Sequence, residues 1–401
     1  MADMITKLGT LALENPIIVS SGYVTETESA MRKADSFGPG AMVLKTSLLD
    51  DEYAQVVKPY APHRYPSTRN KFALAEDGIM GTEGLSTFSL EIWADWLAKT
   101  GKSFKAPLIA SVAAISVEGH VRAAKLMAEA GAVAVELLLA CPAPYFRPFK
   151  YTMTSDPKVV EEICRAVKDA VNIPVGAKIA PLSSVARAAG AAGMDWVTTG
   201  GVLAAAPGID LESMEPVVPS AVFLSGSRAS KYTTFRLLLS LSGISRDVHL
   251  SDHGGVRNWQ DAAEFILYGA GSVQAQTIFM VKGFSAIAEM KRGLEAFMEK
   301  HGFSSLSAMR GAILPKLVSF DEVIASYAET KGSIVAQVDE GLCDGCGICE
   351  DVCAWDAIKI KDGLAEVNWE LCEGCRLCVA DCPPRALSLD NATVLKAVPA
   401  R

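Results

Sequence analysis

Three observations predict an α/β chain made of a (β/α)8 TIM barrel followed by a small cysteine-built domain. Short apolar runs alternate with amphipathic segments through the body of the chain, the pattern of strands with intervening helices. Eight of the ten cysteines fall between Cys343 and Cys382, leaving only Cys141 and Cys164 elsewhere. The formal charge of −8 resides in the same stretch: residues 336–390 carry 12 acidic and 4 basic side chains, and the rest carries 34 of each. A chain of 401 residues has room for one large core and an appendage, because single cores usually stop growing near about 250–300 residues. The expected division is a barrel over 1–335, the cysteine-rich domain over 336–392, and a tail over 393–401.

In order, the predicted strands are Pro16–Ser20, Ala41–Leu44, Leu108–Ser111, Ala134–Leu138, Val175–Ile179, Trp196–Thr199, Val248–Ser251 and Ser272–Ala275. Eight of them argue for closure into a barrel. Between the fourth and fifth, Val160, Ile163, Cys164, Val167 and Val171 recur at helical spacing, which places Cys164 on a core face. The run HVRAAKLMAEAG ends at Gly131, a suitable helix cap before the next strand. In such a barrel, chemistry belongs just beyond the strand C-termini. That rule singles out Lys45, Thr46, Cys141, Lys178 and the turn 252–256. Residues 50–90 form an unusually long connection containing PYAPHRYPSTRN, of the kind that serves as a lid or lacks structure.

Other classes are disfavoured by composition. An acidic tail on a neutral body does not suit nucleic acid, while it suits a basic redox partner or simply solubility. No export signal or membrane-length apolar run is evident, so a reducing cytoplasm is the expected location.

The tail repeats with a period of 29 residues, VDEGLCDGCGICEDVCAWDAIKI aligning with VNWELCEGCRLCVADCPPRALSL. Each half has the spacing C-x2-C-x2-C-x3-C. Three close thiolates can hold three corners of an Fe4S4 cube, and the displaced fourth serves the other cube. The expected quartets are Cys343, Cys346, Cys349 with Cys382, and Cys372, Cys375, Cys378 with Cys353. The second run ends in Cys382–Pro383, whereas Ala354 follows the first. Two structural zinc sites are the alternative use of the same thiolates. A ferredoxin-like domain with two [4Fe–4S] clusters moves electrons singly, so a flavin that converts them into pairs is the simplest partner group in the barrel.

The segments LENPIIVSSG, GPGAMVLKT, APLIASV, AEAGAVAVELLLACP, NIPVGAKIAP, AGMDWV, FLSG, SDHGGVRNWQDAAEFILYGAGSVQAQT and HGFSSLSAMRG, in this order, resemble the dihydroorotate dehydrogenase superfamily of FMN barrels. With the cluster domain added, the chain is most similar to the dihydropyrimidine dehydrogenase branch. The resemblance implies FMN across the C-terminal mouth of the barrel. Ser21 and Gly22 would approach its ring, with Lys45, Thr46 and Lys178 at the polar edge or ribityl chain. Gly226, Gly254, Gly255, Val256, Gln276 and Thr277 would surround the phosphate, although each glycine alone also reads as a turn. Cys141, in E-L-x-L-x-C-P, would be the catalytic acid or base.

Pyrimidine-reducing relatives grip their ring with amides and small hydroxyls, whereas the matching positions here are Gly81, Leu138, Ala140, Gly201 and neighbouring Val202. Ala143 and Leu182 depart in the same sense. Unpaired ring groups would cost about 1–3 kcal/mol each, so the expected substrate is a non-pyrimidine, apolar or carboxylate-bearing small molecule with an activated C=C bond. Alternatives are uracil or thymine reduction, and an electron-transfer subunit without substrate chemistry. The loop PAPYFRPFKY after Cys141 reads equally as a substrate cover or a subunit interface. No G-x-G-x-x-G dinucleotide fingerprint follows an early strand, so ferredoxin or an FAD/NAD(P)-binding partner subunit is expected to exchange electrons with the chain. An oligomer is expected, and neither nucleic acid nor membrane is an expected partner.

Overall fold

Short, mostly apolar runs buried along nearly their whole length build eight parallel strands, and each predicted run contributes one. They are β1 Ile17–Val19, β2 Ala41–Val43, β3 Leu108–Val112, β4 Ala134–Leu138, β5 Val175–Lys178, β6 Trp196–Thr199, β7 His249–His253 and β8 Ser272–Ala275. They pair in chain order, and β8 returns to β1 to close the barrel. The helices that follow them are α1 Glu28–Asp35, α2 Leu90–Thr100, α3 Val117–Glu129, α4 Pro157–Ala170, α5 Ser183–Ala191, α6 Arg228–Leu241, α7 Trp259–Leu267 and α8 Ser285–Lys300. The computed structural model describes residues 2–57, 72–75, 78–81, 84–140, 155–199, 201, 203–218, 223–241, 248–319, 321–322, 324 and 334–389.

Alternation divides each strand between two environments. One set, including Val19, Met42, Ala110, Val135, Val197 and Leu250, packs against the helices in the main core. The other set fills the barrel. At its N-terminal end Ile18, Ala41, Val43, Ile109, Ala134 and Trp196 cluster with Leu8 and Leu13. Those two leucines come from an antiparallel hairpin, Thr6–Leu8 with Leu11–Leu13, absent from the predicted elements. Trp196 is fully buried opposite Gly176, where an added Cβ would lie 1.9 Å from the indole. The tryptophan therefore requires a residue without a side chain across the pair.

Local chemistry sets the helix ends. Ser116 accepts a hydrogen bond from Gly119 N at 3.0 Å to cap α3, and Asp156, followed by Pro157, caps α4. Cys164 is wholly buried on the inner face of α4 with Val160, Ile163 and Val167, and burial pushes its thiol up to about 12. Insertions after β2 and β6 meet in an antiparallel sheet ordered Leu203–Ala204, Phe223–Ser225, Gly78–Gly81, Phe72–Ala75. The sequence reading contains no such sheet. The predicted PYAPHRYPSTRN lid lies outside the described residues.

The contacts divide the chain into two units, Met1–Leu314 and Pro315–Arg401. The second unit contains the pair Ala336–Val338 with Leu387–Leu389, the hairpin Ile358–Lys361 with Leu364–Val367, and the short helices Ile348–Asp351 and Leu377–Ala380. Among the described residues no helix is long and apolar enough to cross a membrane.

Candidate functional site

Above the apolar floor the barrel interior turns polar. Glu136 on β4 is completely buried and accepts from Trp196 Nε1 at 3.3 Å, Thr198 Oγ1 at 2.5 Å and Gln274 Nε2 at 2.6 Å. Ser20 Oγ donates to Gln274 Oε1 at 3.1 Å. This layer fixes the strands beneath the C-terminal mouth. Sequence reasoning passed over Glu136, although an acidic residue inside an apolar strand was a legible signal.

The mouth gathers several predicted residues. Thr46 N donates to Ser21 Oγ at 3.0 Å, and Thr46 Oγ1 lies 2.9 Å from Ser21 Oγ and 2.6 Å from Ser111 Oγ. Thus β1, β2 and β3 are tied by one run of hydroxyls. Lys45, next to it, is 8% exposed. Gly22 approaches Gln276 so closely that a Cβ would meet the Gln276 amide at 2.1 Å. Across the mouth, Lys178 at the end of β5 places Nζ 3.1 Å from His253 Nε2 at the end of β7. Burial, and then the Lys178 charge, hold the His253 imidazole well below its usual pKa. His253 lies within the turn 252–256 that the strand-end rule singles out, but SDHGG was read for its glycines and the imidazole was given no role of its own.

Those glycines line a shallow cleft with Gly201, Gly226, His253, Val256, Gln274, Ala275, Gln276 and Thr277. Gly254 and Gly255 have φ of 149° and 76°, and Cβ atoms there would lie 2.7 Å from Gly201 N and from Lys231, respectively. Both the left-handed backbone and the contacts therefore demand glycine. The turn is braced from below. Asp261 accepts from Arg257 N and from Lys231 Nζ, each at 2.8 Å, and Lys231 also donates to Glu264 at 2.7 Å. Burial opposes the Lys231 charge, but these carboxylates outweigh it and hold the ammonium above its usual range.

Of the positions weighed for substrate, Leu138 is buried at the end of β4 and packs with Leu48, Val56, Leu85 and Ala113. Gly81 ends the hairpin strand paired with Phe72, Gly201 lines the glycine cleft, and Leu182 is exposed before α5. Cys141, Ala143 and the aromatic loop lie outside the described residues, as does Val202.

In the second unit, one cavity is lined by Cys343, Cys346, Cys349 and Cys382. Another is lined by Cys353, Cys372, Cys375 and Cys378. Each thus draws three thiols from one run and the fourth from the other. Backbone N–H groups of Ala357 and Ala386 donate to Cys353 and Cys382 Sγ at 3.2 Å, in repeat-related positions. Gly345 and Gly374 share φ near 65°, with values of 67° and 64°, and bring the backbone close at Gly363 O and Ile334 O. Burial pushes Cys378 up to about 11 and raises Cys349 as well. Among the described residues no three His, Cys, Asp or Glu side chains gather tightly enough for a single metal ion.

Both sites suit the groups they would take. Soft thiols spread around a cavity, with N–H donors to sulfur, fit a cubane. A glycine-lined cleft whose backbone has no room for side chains fits a phosphate-bearing group, and the buried His253 Nδ1 beside it has no hydrogen-bond partner among the described residues.

The family model described as dihydroorotate dehydrogenase matches residues 4–298, and that described as 4Fe-4S binding domain matches residues 336–359 and 365–388. The catalytic subunit of dihydroorotate dehydrogenase B (NAD(+)) from Methanothermobacter thermautotrophicus is 31% identical over 310 residues, covering 76% of this chain and 97% of the relative. That from Thermoplasma volcanium is 29% identical over 323 residues, covering 79% and 100%. The NAD-dependent dihydropyrimidine dehydrogenase subunit PreA from Escherichia coli is 28% identical over 350 residues, covering 84% and 82%. These relatives overturn the expected non-pyrimidine substrate. That inference counted missing amides at seven positions, but backbone groups and hydroxyls such as those of Ser21, Thr46 and Ser111 also hydrogen-bond. Lost amides do not make a pocket apolar.

Proposed function

Since this chain belongs to the dihydroorotate dehydrogenase family, we propose that it is the catalytic subunit of a dihydropyrimidine dehydrogenase, reducing the ring C=C bond of uracil or thymine. It is an oxidoreductase acting on CH–CH bonds, with an FMN-type barrel and a 4Fe-4S binding domain. One observation carries the narrower reading. The match to the dihydropyrimidine dehydrogenase subunit covers 84% of this chain, a span longer than the barrel unit, whereas the dihydroorotate dehydrogenase B subunit of M. thermautotrophicus matches over only 76%.

In this reading FMN is held by Ser21, Gly22, Lys45, Thr46 and Lys178 along its ring and ribityl chain. Gly226, Gly254, Gly255, Val256, Gln276 and Thr277 hold its phosphate. The two cysteine quartets hold two [4Fe–4S] clusters. Bound FMN supplies hydride transfer and accepts electrons singly. The lysines favour negative charge at the mouth, and the buried Glu136 layer keeps the strand ends in register. Cys141 supplies the proton to the ring carbon next to the one that receives hydride, so two electrons and two protons saturate the bond. Electrons arrive from ferredoxin or an FAD/NAD(P)-binding subunit, consistent with relatives named as subunits.

Anaerobic stopped-flow spectroscopy tests this. Uracil or thymine should reoxidise the dithionite-reduced enzyme faster than orotate does, and Cys141→Ser should slow that step by about 10^2- to 10^4-fold while retaining flavin and iron. Failure of both uracil and thymine, with efficient reoxidation by orotate, would reassign the chain to dihydroorotate chemistry.

A further inference from the structure

The two halves of the cysteine-rich unit repeat every 29 residues, so each position in one half has a counterpart in the other. Their cavities differ in charge. An acidic side chain lines each in the matching place, Asp344 in the first and Glu373 in the second, and Arg376 adds a cation to the second alone. Apart from the thiols, the second lining is thus neutral and the first negative. The counterpart of Arg376 is Gly347. Both have left-handed backbone, with φ of 70° and 85°, and nothing lies within 4 Å of a Cβ added at Gly347. The arginine therefore stands where the backbone favours glycine and where packing requires no side chain. What it adds is a charge that no working pH removes.

Backbone donors act in the same direction. Ala336 N donates to Cys372 Sγ at 3.5 Å, in addition to the repeat-related bonds from Ala357 to Cys353 and from Ala386 to Cys382. The counterparts of Ala336 and Cys372 are Ala365 and Cys343, which line the first cavity, and among the described residues only the Ala336 bond is made. A nearby cation and N–H donors to sulfur both favour an added electron on a cluster.

We propose that Arg376 makes the two clusters unequal, holding the one bound by Cys372, Cys375, Cys378 and Cys353 at the higher reduction potential. The inference rests on the proposed two-cluster reading. One electron then leaves the cluster at Cys343, Cys346, Cys349 and Cys382 and enters its neighbour, with no bond made or broken. Arg376 sets which cluster stores the single electron and which passes it on. Arg385 supplies a comparison within the same unit: it shares the left-handed backbone, with φ of 54°, and follows Cys382, yet it lines neither cavity.

Anaerobic titration of the full-length, cluster-loaded protein with dithionite, a one-electron donor through its radical, reads each midpoint without turnover. Low-temperature EPR sees the reduced cubanes apart from any flavin radical. Wild type should show two separate one-electron midpoints. Arg376→Gly, which installs the residue of the other half, should lower the higher midpoint alone, by about tenfold in electron partition or about 59 mV. Arg376→Lys keeps the charge and should stay within about threefold of wild type. Gly347→Arg should raise the lower midpoint by about the factor that Arg376→Gly removes from the higher. Arg385→Gly should change the higher midpoint by less than about threefold, because solvent screens a charge outside the cavity. Coincident midpoints in wild type would overturn the inference. So would a higher midpoint that falls no further in Arg376→Gly than in Arg376→Lys, or equal falls in both midpoints of Arg376→Gly, the pattern of a disturbed fold. Wild type carrying about four irons or fewer per chain would instead sink the two-cluster reading, and this proposal with it.

Discussion

The two units of the chain solve the problem of an interior in opposite ways. The barrel fills its own centre: Trp196 against Gly176 at the floor, then Glu136, Thr198 and Gln274 interlocked above it. The cysteine-rich unit has a small apolar core, with Ala336, Ile358, Ala365 and Leu387 beside Cys349 and Cys378, around two thiol-lined cavities. Side chains complete the first interior, and the proposed clusters complete the second. The contrast teaches that stability and electron transfer are separable in the barrel but share the same atoms in the smaller unit.

The strongest way to break that contrast is Cys378→Ser. On the proposed ligation it should reduce iron from about eight to about four per chain and expose the second unit to protease, because cluster binding and folding are coupled there. FMN content and the barrel unfolding transition should stay unchanged. Anaerobic iron analysis beside limited proteolysis measures both, and full iron content in the variant would remove Cys378 from the ligand set.

Gly176→Ala strikes the barrel alone. With the new Cβ 1.9 Å from a fully buried indole, overpacking should cost about 3 kcal/mol and lower the denaturant midpoint of the barrel. Iron content should not move. An unchanged midpoint would mean that the floor can repack, contrary to a rigid, self-filled centre.

The smallest effect sharpens the comparison through pH. Glu52, on the helix Asp50–Val56, is 5% exposed and accepts from Ile115 N at 3.1 Å. Burial pushes its carboxyl from 4.5 up to about 7. The folded state therefore holds a proton that the unfolded state releases. This contribution to stability is full below about pH 4.5 and lost as pH rises through about 7. Glu52→Gln lacks that loss, so its stability relative to wild type should improve by about 2 kcal/mol between pH 5 and 8. The full shift would give more, but the nearby N-terminus of α3 favours the charged carboxylate. Urea titrations of the barrel transition at several pH values measure it. A constant difference would show that Glu52 is ionised throughout.

Much of this architecture was legible because a short apolar run is a local signal. All eight barrel strands were visible, three with the same ends as predicted and the others with ends shifted by at most two residues. The three close thiols of each run lie around one cavity because their spacing is short-range, whereas the fourth comes from the other run. The N-terminal hairpin and the antiparallel sheet at Gly78–Gly81 were not legible. Their strands have two to four residues, too few for a period to emerge, and their pairing is decided by distant segments. In the site, Lys45, Lys178 and the glycine turn followed from strand-end positions. The contact of His253 with Lys178 did not, because the two residues stand two strands apart. The substrate inference failed for a related reason: it took side-chain identity as the whole hydrogen-bonding inventory of a pocket whose backbone also has donors and acceptors.

The exchange of fourth cysteines has a consequence for biosynthesis. Cys353 lines the cavity otherwise served by Cys372, Cys375 and Cys378, while Cys382 lines the one served by Cys343, Cys346 and Cys349. As the chain is made, the first run supplies only three of the four thiols of its own cavity. The second cavity acquires its full set at Cys378, and the first only at Cys382. Neither set is complete until all eight barrel strands have been synthesised, so filling of either cavity follows the making of the barrel.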